Sequence, residues 1–599
     1  MVNMDGADLM ATDVEWDIDS LVDGEGADGV ERLLASCGTG ADSLDRFRGR
    51  VAELTAAEMG DLMRGAAEVQ DELLRAASYS SLRFAVDTSD GALYQRVSEA
   101  GAQIEMKLLF VELEWAEASD SHVESLLADP SLEFCAHHLR AMRRYRTHLL
   151  SEPEERVLTE KSVTGASAWV RLFDQLTSEI RVDAPDGKGG TDDVGLEQGL
   201  SLLASPDPAL REAAAAAVTA AIEPGIGTRA YVYNTLLMDK SIDDRMRTYP
   251  SWISSRNLAN EATDESVQAL IDVVQSRYDI PQRWYRLKSK LLGMPLKDYD
   301  RMASVATAET SIGWSDAKDL VLDAYASFSP DLAGVAQRFF DERWIDAPLR
   351  DAKRPGAFCS YTVPSHHPYV FLNWTGKARD VMTLAHELGH GCHAYLSRGQ
   401  GIFHYATPLT LAETASVFGE TVTFSRMLEG TTDPRVRLSL LAENIDGSIA
   451  TVFRQVAMNR FENAVHLDRR ENGELSVERF GEHWAQSQRD MLGDAVEVTD
   501  GYKGWWSYVP HFIGTPGYVY AYAYGQLLAL SVYNRYEQSG AAFVPKYLEL
   551  LGSGGSMPPE ELGKLVDCDL TDPGFWDGGL AIVEQQLIQA EEAAAQLDD

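Results

Sequence analysis

Residues 381–395 read VMTLAHELGHGCHAY, and their spacing decides how the rest of the chain is read. His386, Glu387 and His390 stand in the order H-E-x-x-H. On a helix, side chains four apart lie one above the other on the same face, so His386 and His390 can turn two imidazole nitrogens onto one cation. Glu387 sits about 100° further round and reaches the position where a water would wait for a base. Gly389 inside that helix costs about 1 kcal/mol against Ala, which predicts that a neighbouring element packs closely there. The preceding run, residues 368–374 (PYVFLNW), is apolar and aromatic and reads as a strand, followed by Thr375-Gly376 and then the helix. A free strand edge beside such a helix can pair with the backbone of an extended peptide. Tyr369, Val370, Phe371, Leu372 and Asn373 are therefore the expected substrate-binding strand.

Two imidazoles make half of a catalytic metal site, which needs three protein ligands and one open position. The extended pattern H-E-x-x-H-x-x-G-x-x-H is excluded, because His393 stands where Gly is required and Leu396 where His is required. The alternative is a carboxylate on a following helix. Residues 409–422, LTLAETASVFGETV, offer Glu413 and Glu420 about two turns apart on one face. Enough chain separates Glu413 from His390 for a loop and an antiparallel return, which favours Glu413 as the ligand and Glu420 as its structural support. His393, one turn beyond His390, is expected to be buried and hydrogen-bonded. Two His and one Glu suit a single Zn²⁺ per chain.

Composition narrows the class. The chain has 599 residues, 45% apolar and 24% charged, enough to bury a large core in several lobes. No apolar run approaches the roughly 20 residues needed to span a bilayer. The first residues are acidic and lack the basic and apolar regions of a signal peptide. Cys37, Cys135, Cys359, Cys392 and Cys568 never fall in C-x-x-C spacing and read as reduced thiols, which with the missing signal predicts a cytoplasmic protein. A formal net charge of −40 disfavours nucleic acid and anionic membranes as partners. Oligomeric state is not legible.

Three regions follow from the pattern, with approximate boundaries and intermixed lobes. Residues 1–28 form an acidic, partly flexible segment, apart from Trp16 to Leu21, which has the look of a stretch docking on the body. Residues 29–200 are an N-terminal helical region, with apolar residues at three and four spacing and a first strand-and-turn signal at 179–190. Residues 201–599 carry the catalytic region, again mostly helical up to a closing helix near the end. Within it, residues 501–528 (GYKGWWSYVPHFIGTPGYVYAYAYGQLL) place His511, Tyr518, Tyr520, Tyr522 and Tyr524 among glycines. On pattern alone two readings stand level: tyrosines that pack helices, or hydroxyl donors for an oxyanion on a loop that closes over substrate.

Taken together, these stretches resemble the oligoendopeptidase F group of the thimet oligopeptidase family of zinc metallopeptidases. The resemblance rests on HELGHGCHAY, PYVFLNWTG, LAETASVFGE, HFIGTPGYVYAYAYG and residues 239–261, DKSIDDRMRTYPSWISSRNLANE, which run in family order and cover roughly residues 70 to 590. It implies His386, His390 and Glu413 as zinc ligands and Glu387 as general base. It implies that His511, Tyr518 and Tyr522 bind substrate and stabilise the tetrahedral intermediate, and Gly517 joins the expected substrate-binding residues. In one departure, Gly525 stands where the thimet branch has a further tyrosine, with Tyr520 or Tyr524 as candidates to replace it. The fold implied is mainly α, a two-lobed zincin-like body of the gluzincin type with a deep central channel and a small β-sheet near the active site. Such a channel implies short peptides as partners, cut at internal bonds. Removal of terminal residues and non-catalytic peptide binding are the alternatives.

Overall fold

The computed structural model describes residues 6–187, 189–305, 311–407 and 409–598. In chain order, the elements used below begin with helices α1 (Ala56–Val86) and α2 (Ala92–Glu117), strands β1 (Arg181–Pro185) and β2 (Thr191–Gly195), and helices α3 (Pro208–Ile222), α4 (Ile226–Met246) and α5 (Ser254–Ala259). Strands β3 (Ile345–Asp346), β4 (Phe358–Ser360) and β5 (Tyr369–Phe371) come next. Helices α6 (Ala378–Ser397), α7 (Leu409–Glu429), α8 (Arg454–Asn472), α9 (His511–Gly514) and α10 (Tyr520–Ser539) complete the set.

Local chemistry explains why these helices begin where they do. Thr55 and Glu58 form a reciprocal capping box at the start of α1, and Met59, Leu62, Met63, Val69 and Leu73 then bury one face at three and four spacing. Asp207 caps α3 by accepting from Ala209 N–H, with Pro208 in the first turn. At α6, the Asp380 carboxylate accepts from the N–H groups of Thr375 (2.7 Å) and Lys377 (3.1 Å). That anion in the first turn satisfies donors the helix cannot pair itself.

The chain forms two compact units, each assembled from three separate stretches. The first comprises Met1–Arg146, Glu309–Gly430 and Val532–Asp569, and the second Thr147–Ala308, Thr431–Ser531 and Leu570–Asp599. The division expected at residue 200 is therefore not the one the packing makes. Amphipathic helices bury their apolar stripes on partners distant in sequence: the closing helix Pro573–Asp598 packs on Asp264–Ser276 and Pro434–Ser448 within the second unit.

In the first unit a three-stranded sheet has β5 in the centre, parallel to β3 and antiparallel to β4. The N-terminal segment is tied to it. Ala347 N–H donates to Val14 C=O at 3.0 Å and Asp17 N–H to Arg343 C=O at 2.9 Å, which covers the β3 side of the sheet. Trp16 lies 5.9 Å from the Tyr369 ring and 5.8 Å from that of Phe371. The docking expected of Trp16 to Leu21 is present. The looseness expected of the residues before it is corrected from residue 6 onward, since Asp8 accepts from Ser315 N–H and Oγ–H at 3.0 and 2.6 Å.

In the second unit β1 and β2 pair as an antiparallel hairpin, Arg181 opposite Gly195, where the sequence carries its first strand-and-turn signal. Its core is aromatic, with Tyr233, Phe461, Phe480, Trp484, Trp506 and Phe512 buried together. No helix among the described residues is long and apolar enough to cross a membrane, and all five cysteines are free.

Candidate metal centre

Helices α6 and α7 approach each other on glycine. A Cβ added at Gly389 would lie 2.6 Å from Ser416 Cα and 2.7 Å from the Ala415 carbonyl carbon, so the close packing expected there is real. Gly419 does the same from the other helix, its absent Cβ falling 2.9 Å from Ala385 C=O. The Tyr325 hydroxyl, which also crowds Gly419, donates to that carbonyl at 2.6 Å.

This approach brings three donors together. His386 Nε2 and His390 Nε2 lie 3.4 and 3.6 Å from the same oxygen, Glu413 Oε2. The two imidazoles stand nearly perpendicular, 82° apart with centres separated by 4.8 Å. All three donor atoms fall within 4.8 Å of one another, and the group is the only one of its kind among the described residues. Two imidazole nitrogens and a carboxylate oxygen on one small sphere fit a divalent ion with a position left open. Two further contacts fix the donors: Ser416 Oγ–H donates to Glu413 Oε2 at 2.7 Å, and His386 Nδ1 is hydrogen-bonded to Glu420 Oε1. With Nδ1 held by that carboxylate, Nε2 is the nitrogen left to face Glu413.

The electrostatics separate the acids from the bases. Burial pulls the His386 imidazole down, but the hydrogen bond to Glu420 and the charges of Glu420, Glu413 and Glu387 outweigh it and raise it to about 9. Burial lowers His390 to about 4, against the pull of Glu413. Glu387, only 6% exposed, is pushed up to about 7 by burial and by the charges of Glu413 and Glu420, with His386 and the Cys359 backbone N–H opposing. A carboxyl poised near neutrality suits proton transfer. His393 is buried, held to about 3 by burial and by His390, and its Nε2 lies 3.3 Å from Thr407 Oγ1. Cys392 is buried against Leu332 C=O, away from the three donors.

The second unit gathers the other expected residues. His511 Nε2 lies 3.2 Å from the Tyr522 hydroxyl. The Tyr518 ring is 5.3 Å from that of Tyr522, at 89°, and 6.3 Å from that of His511, nearly parallel. Tyr522 is 39% exposed, and burial holds His511 below the usual imidazole range. Gly517 precedes Tyr518 with φ +75°, a left-handed turn that favours glycine.

Comparison with known proteins decides the family. A family model described as peptidase family M3 matches residues 325–582, which contain all three donors and the tyrosine loop, and one described as oligopeptidase F matches residues 114–181. The chain belongs to peptidase family M3. Oligopeptidase PepF of Bacillus subtilis is 25% identical over 92% of this M3 chain and 83% of its own length. Group B oligopeptidase PepB of Streptococcus agalactiae is 27% identical over 84% and 83%. Among solved structures, a protein of Chlamydophila abortus superposes with a TM-score of 0.89 at 22% identity, covering 97% of this chain and 98% of that one. Oligoendopeptidase-F of Enterococcus faecium gives 0.71 at 22% identity over 94% and 99%. These likenesses carry the fold: mainly α, with small sheets.

Two expectations for the M3 chain are corrected. Tyr369, Val370, Phe371 and Leu372 are fully or almost fully buried, and β5 is hydrogen-bonded on both sides, so it has no edge to offer a peptide. Asn373 is likewise used, its Nδ2 donating to Arg354 and Gly356 carbonyls. The outer strand is β4, which leaves no mark in the sequence because a three-residue strand in GAFCSYT has no periodicity to show. Neither Tyr520 nor Tyr524 takes the place left by Gly525. Both are fully buried, Tyr520 accepting from Asn260 Nδ2 at 3.0 Å and Tyr524 donating to Ser266 Oγ at 3.4 Å. On a helix they share one face, while Tyr522 lies about 200° away.

Proposed function

We propose that this M3 chain is a zinc-dependent endopeptidase that cuts internal bonds of short oligopeptides by adding water. The observation that carries the reading is the convergence of His386 Nε2, His390 Nε2 and Glu413 Oε2 beside a buried Glu387. The relatives' own names, oligopeptidase and oligoendopeptidase, support the substrate class and the internal position of the cut. The five free thiols and the net charge of −40 support action in the cytoplasm, away from nucleic acid and membrane surfaces.

His386, His390 and Glu413 are the residues that hold the ion. When bound, zinc supplies a Lewis acid that polarises a carbonyl and makes water a stronger acid. Glu420 keeps His386 in the tautomer that presents Nε2. Glu387 takes a proton from the attacking water and passes it to the leaving amine, a role worth about 10²- to 10⁴-fold in rate. Its burial beside the three donors keeps one carboxyl in place to do both. The outer strand β4, whose Cys359 N–H already faces Glu387, offers the backbone edge along which a peptide lies. His511, Tyr518 and Tyr522 act as one donor group toward the oxyanion, each such donor being worth about 3 kcal/mol in comparable sites.

Metal content measured together with mass-spectrometric mapping of products from quenched peptides of graded length tests the reading. Internal cuts that stop on chelation and return with zinc are expected. Glu387→Gln is expected to keep its metal and lose at least about 100-fold in turnover. Stepwise loss of terminal residues, or a metal-loaded protein that leaves every peptide whole, overturns the endopeptidase assignment; normal turnover in Glu387→Gln overturns the base.

A further inference from the structure

Glu462 takes no part in the mechanism above, yet it is the most completely buried acid near the tyrosine loop. It sits on α8 with no exposed surface, and Oε1 accepts from Gly517 N–H at 2.9 Å. Its other oxygen, Oε2, is buried and has no hydrogen-bond partner. A carboxyl in such a place costs stability unless something is gained by it, and its one hydrogen bond goes to the residue just before Tyr518.

The surroundings make this a seat for the loop. Gly517 lies in the left-handed region, and a Cβ there would fall 3.3 Å from the Trp252 ring and 3.4 Å from Ile253 Cγ1. Trp252 is itself locked from α8: its ring stacks on His466 at 4.2 Å and its Nε1–H donates to Asn463 Oδ1 at 2.9 Å. Arg256 on α5 donates to Pro516 C=O at 3.4 Å and carries its guanidinium 5.9 Å from the Tyr518 ring. Residues 516–518 are thus gripped by α5 and the residues before it on one side and by Glu462 on the other.

We propose that Glu462 is a positioning residue: by accepting the Gly517 N–H it fixes the turn that sets where Tyr518 presents its phenol. The proposal rests on the reading of Tyr518 as an oxyanion donor. Burial pushes the Glu462 carboxyl up to about 8, against Gly517 N–H, Arg256 and Lys240, so near neutrality it is largely uncharged. Glutamine, uncharged and of the same shape, is then the conservative replacement, and leucine the one that removes the acceptor while keeping the volume.

The test uses zinc-loaded full-length protein and compares Glu462→Leu, Glu462→Gln, Tyr518→Phe and the double variant Glu462→Leu/Tyr518→Phe. Readouts are kcat and KM on a quenched peptide and the hydrogen-exchange rate of the segment 511–519. Glu462→Leu is expected to lower kcat about tenfold or more with KM within about threefold, because small misplacements of a catalytic group are costly. Glu462→Gln is expected to stay within about threefold of the parent in both. Exchange in 511–519 is expected to quicken in both variants that carry leucine and in neither Glu462→Gln nor Tyr518→Phe, and Glu462→Leu is expected to lower kcat no further once Tyr518 is already Phe. Should the leucine variant not fold, Glu462→Asp, which withdraws the carboxyl by about one bond, is expected to give the same pattern. A leucine variant with lowered Tm but parental kcat and exchange overturns the proposal. Parental kcat in Tyr518→Phe overturns the assignment of Tyr518 instead, and the exchange rate then decides by itself whether Glu462 holds the loop.

Discussion

Substituting Gly389 by alanine separates two opposed forces whose balance the structure fixes. Helix propensity alone favours Ala over Gly by about 1 kcal/mol in a helix interior. Packing opposes it. The new Cβ would sit 2.6 Å from Ser416 Cα and 2.7 Å from the Ala415 carbonyl carbon, both backbone atoms of α7 that cannot rotate aside. Ordinary carbon contacts begin near 3.5 Å, so α6 and α7 must part by about 1 Å. Overpacking of that kind costs about 1–3 kcal/mol, which equals or exceeds the propensity gain. The functional effect is larger than the thermal one. His386 and His390 ride on α6 and Glu413 on α7, and a shift of about 1 Å is several times the roughly 0.2 Å tolerance of a metal–ligand distance. Affinity for zinc should fall by about 10- to 100-fold, the range seen when ligand placement is disturbed with every ligand present. A competition titration against a chelator measures this, with thermal unfolding of the metal-free protein alongside. A variant that gains stability and binds zinc as the parent does would show that the helices are free to part, and the close-approach argument would be wrong.

Glu420→Gln should weaken zinc binding by about 10- to 100-fold while all three ligands remain, measured by the same titration; unchanged affinity would mean that Glu420 does not orient His386. Tyr520→Phe and Tyr522→Phe should part company. The first removes the hydrogen bond to Asn260 and should cost about 1 kcal/mol of stability with kcat intact. The second should lower kcat with little change in KM, as for a contact made mainly in the transition state. Equal kinetic effects from the two would undo the division of the tyrosines by helix face.

Much of the metal centre was legible because a helix converts spacing into geometry. Positions 386 and 390 share a face whatever surrounds them, and Gly389 marked the contact point with α7 before any partner was known. The choice of Glu413 over Glu420 rests in the sequence on chain length and on the family resemblance, and it is the structure that shows two different tasks: Glu413 meets both Nε2 atoms, while Glu420 meets His386 from behind at Nδ1. Glu462 was not legible. It stands in NRFENAVH, an ordinary stretch of helix, and only the tertiary contact with Gly517 distinguishes it from a surface acid. The division into two units was hidden for a similar reason, since each is closed by segments hundreds of residues apart.

The misplaced substrate strand shows what the pattern already contained. PYVFLNW has no alternation of apolar and polar residues, and an unbroken apolar run means that both faces are covered, the mark of a strand in the middle of a sheet. Edges are short, polar or otherwise blunted, because an exposed row of N–H and C=O groups invites pairing with other chains. By that rule β5 excluded itself. The short β4, with partly exposed Phe358, Cys359 and Ser360, has the character of an edge, and its Cys359 N–H lies at Glu387. If β4 is where a peptide pairs, Cys359→Pro should remove the one backbone donor that opposes the rise of Glu387 and bend the edge at once, raising KM and lowering kcat together. Proline at Val370 should instead break the sheet and cost stability in the metal-free protein, because that N–H is spent on Trp344 C=O. A peptide kinetics series that finds Cys359→Pro fully active would remove β4 from the site.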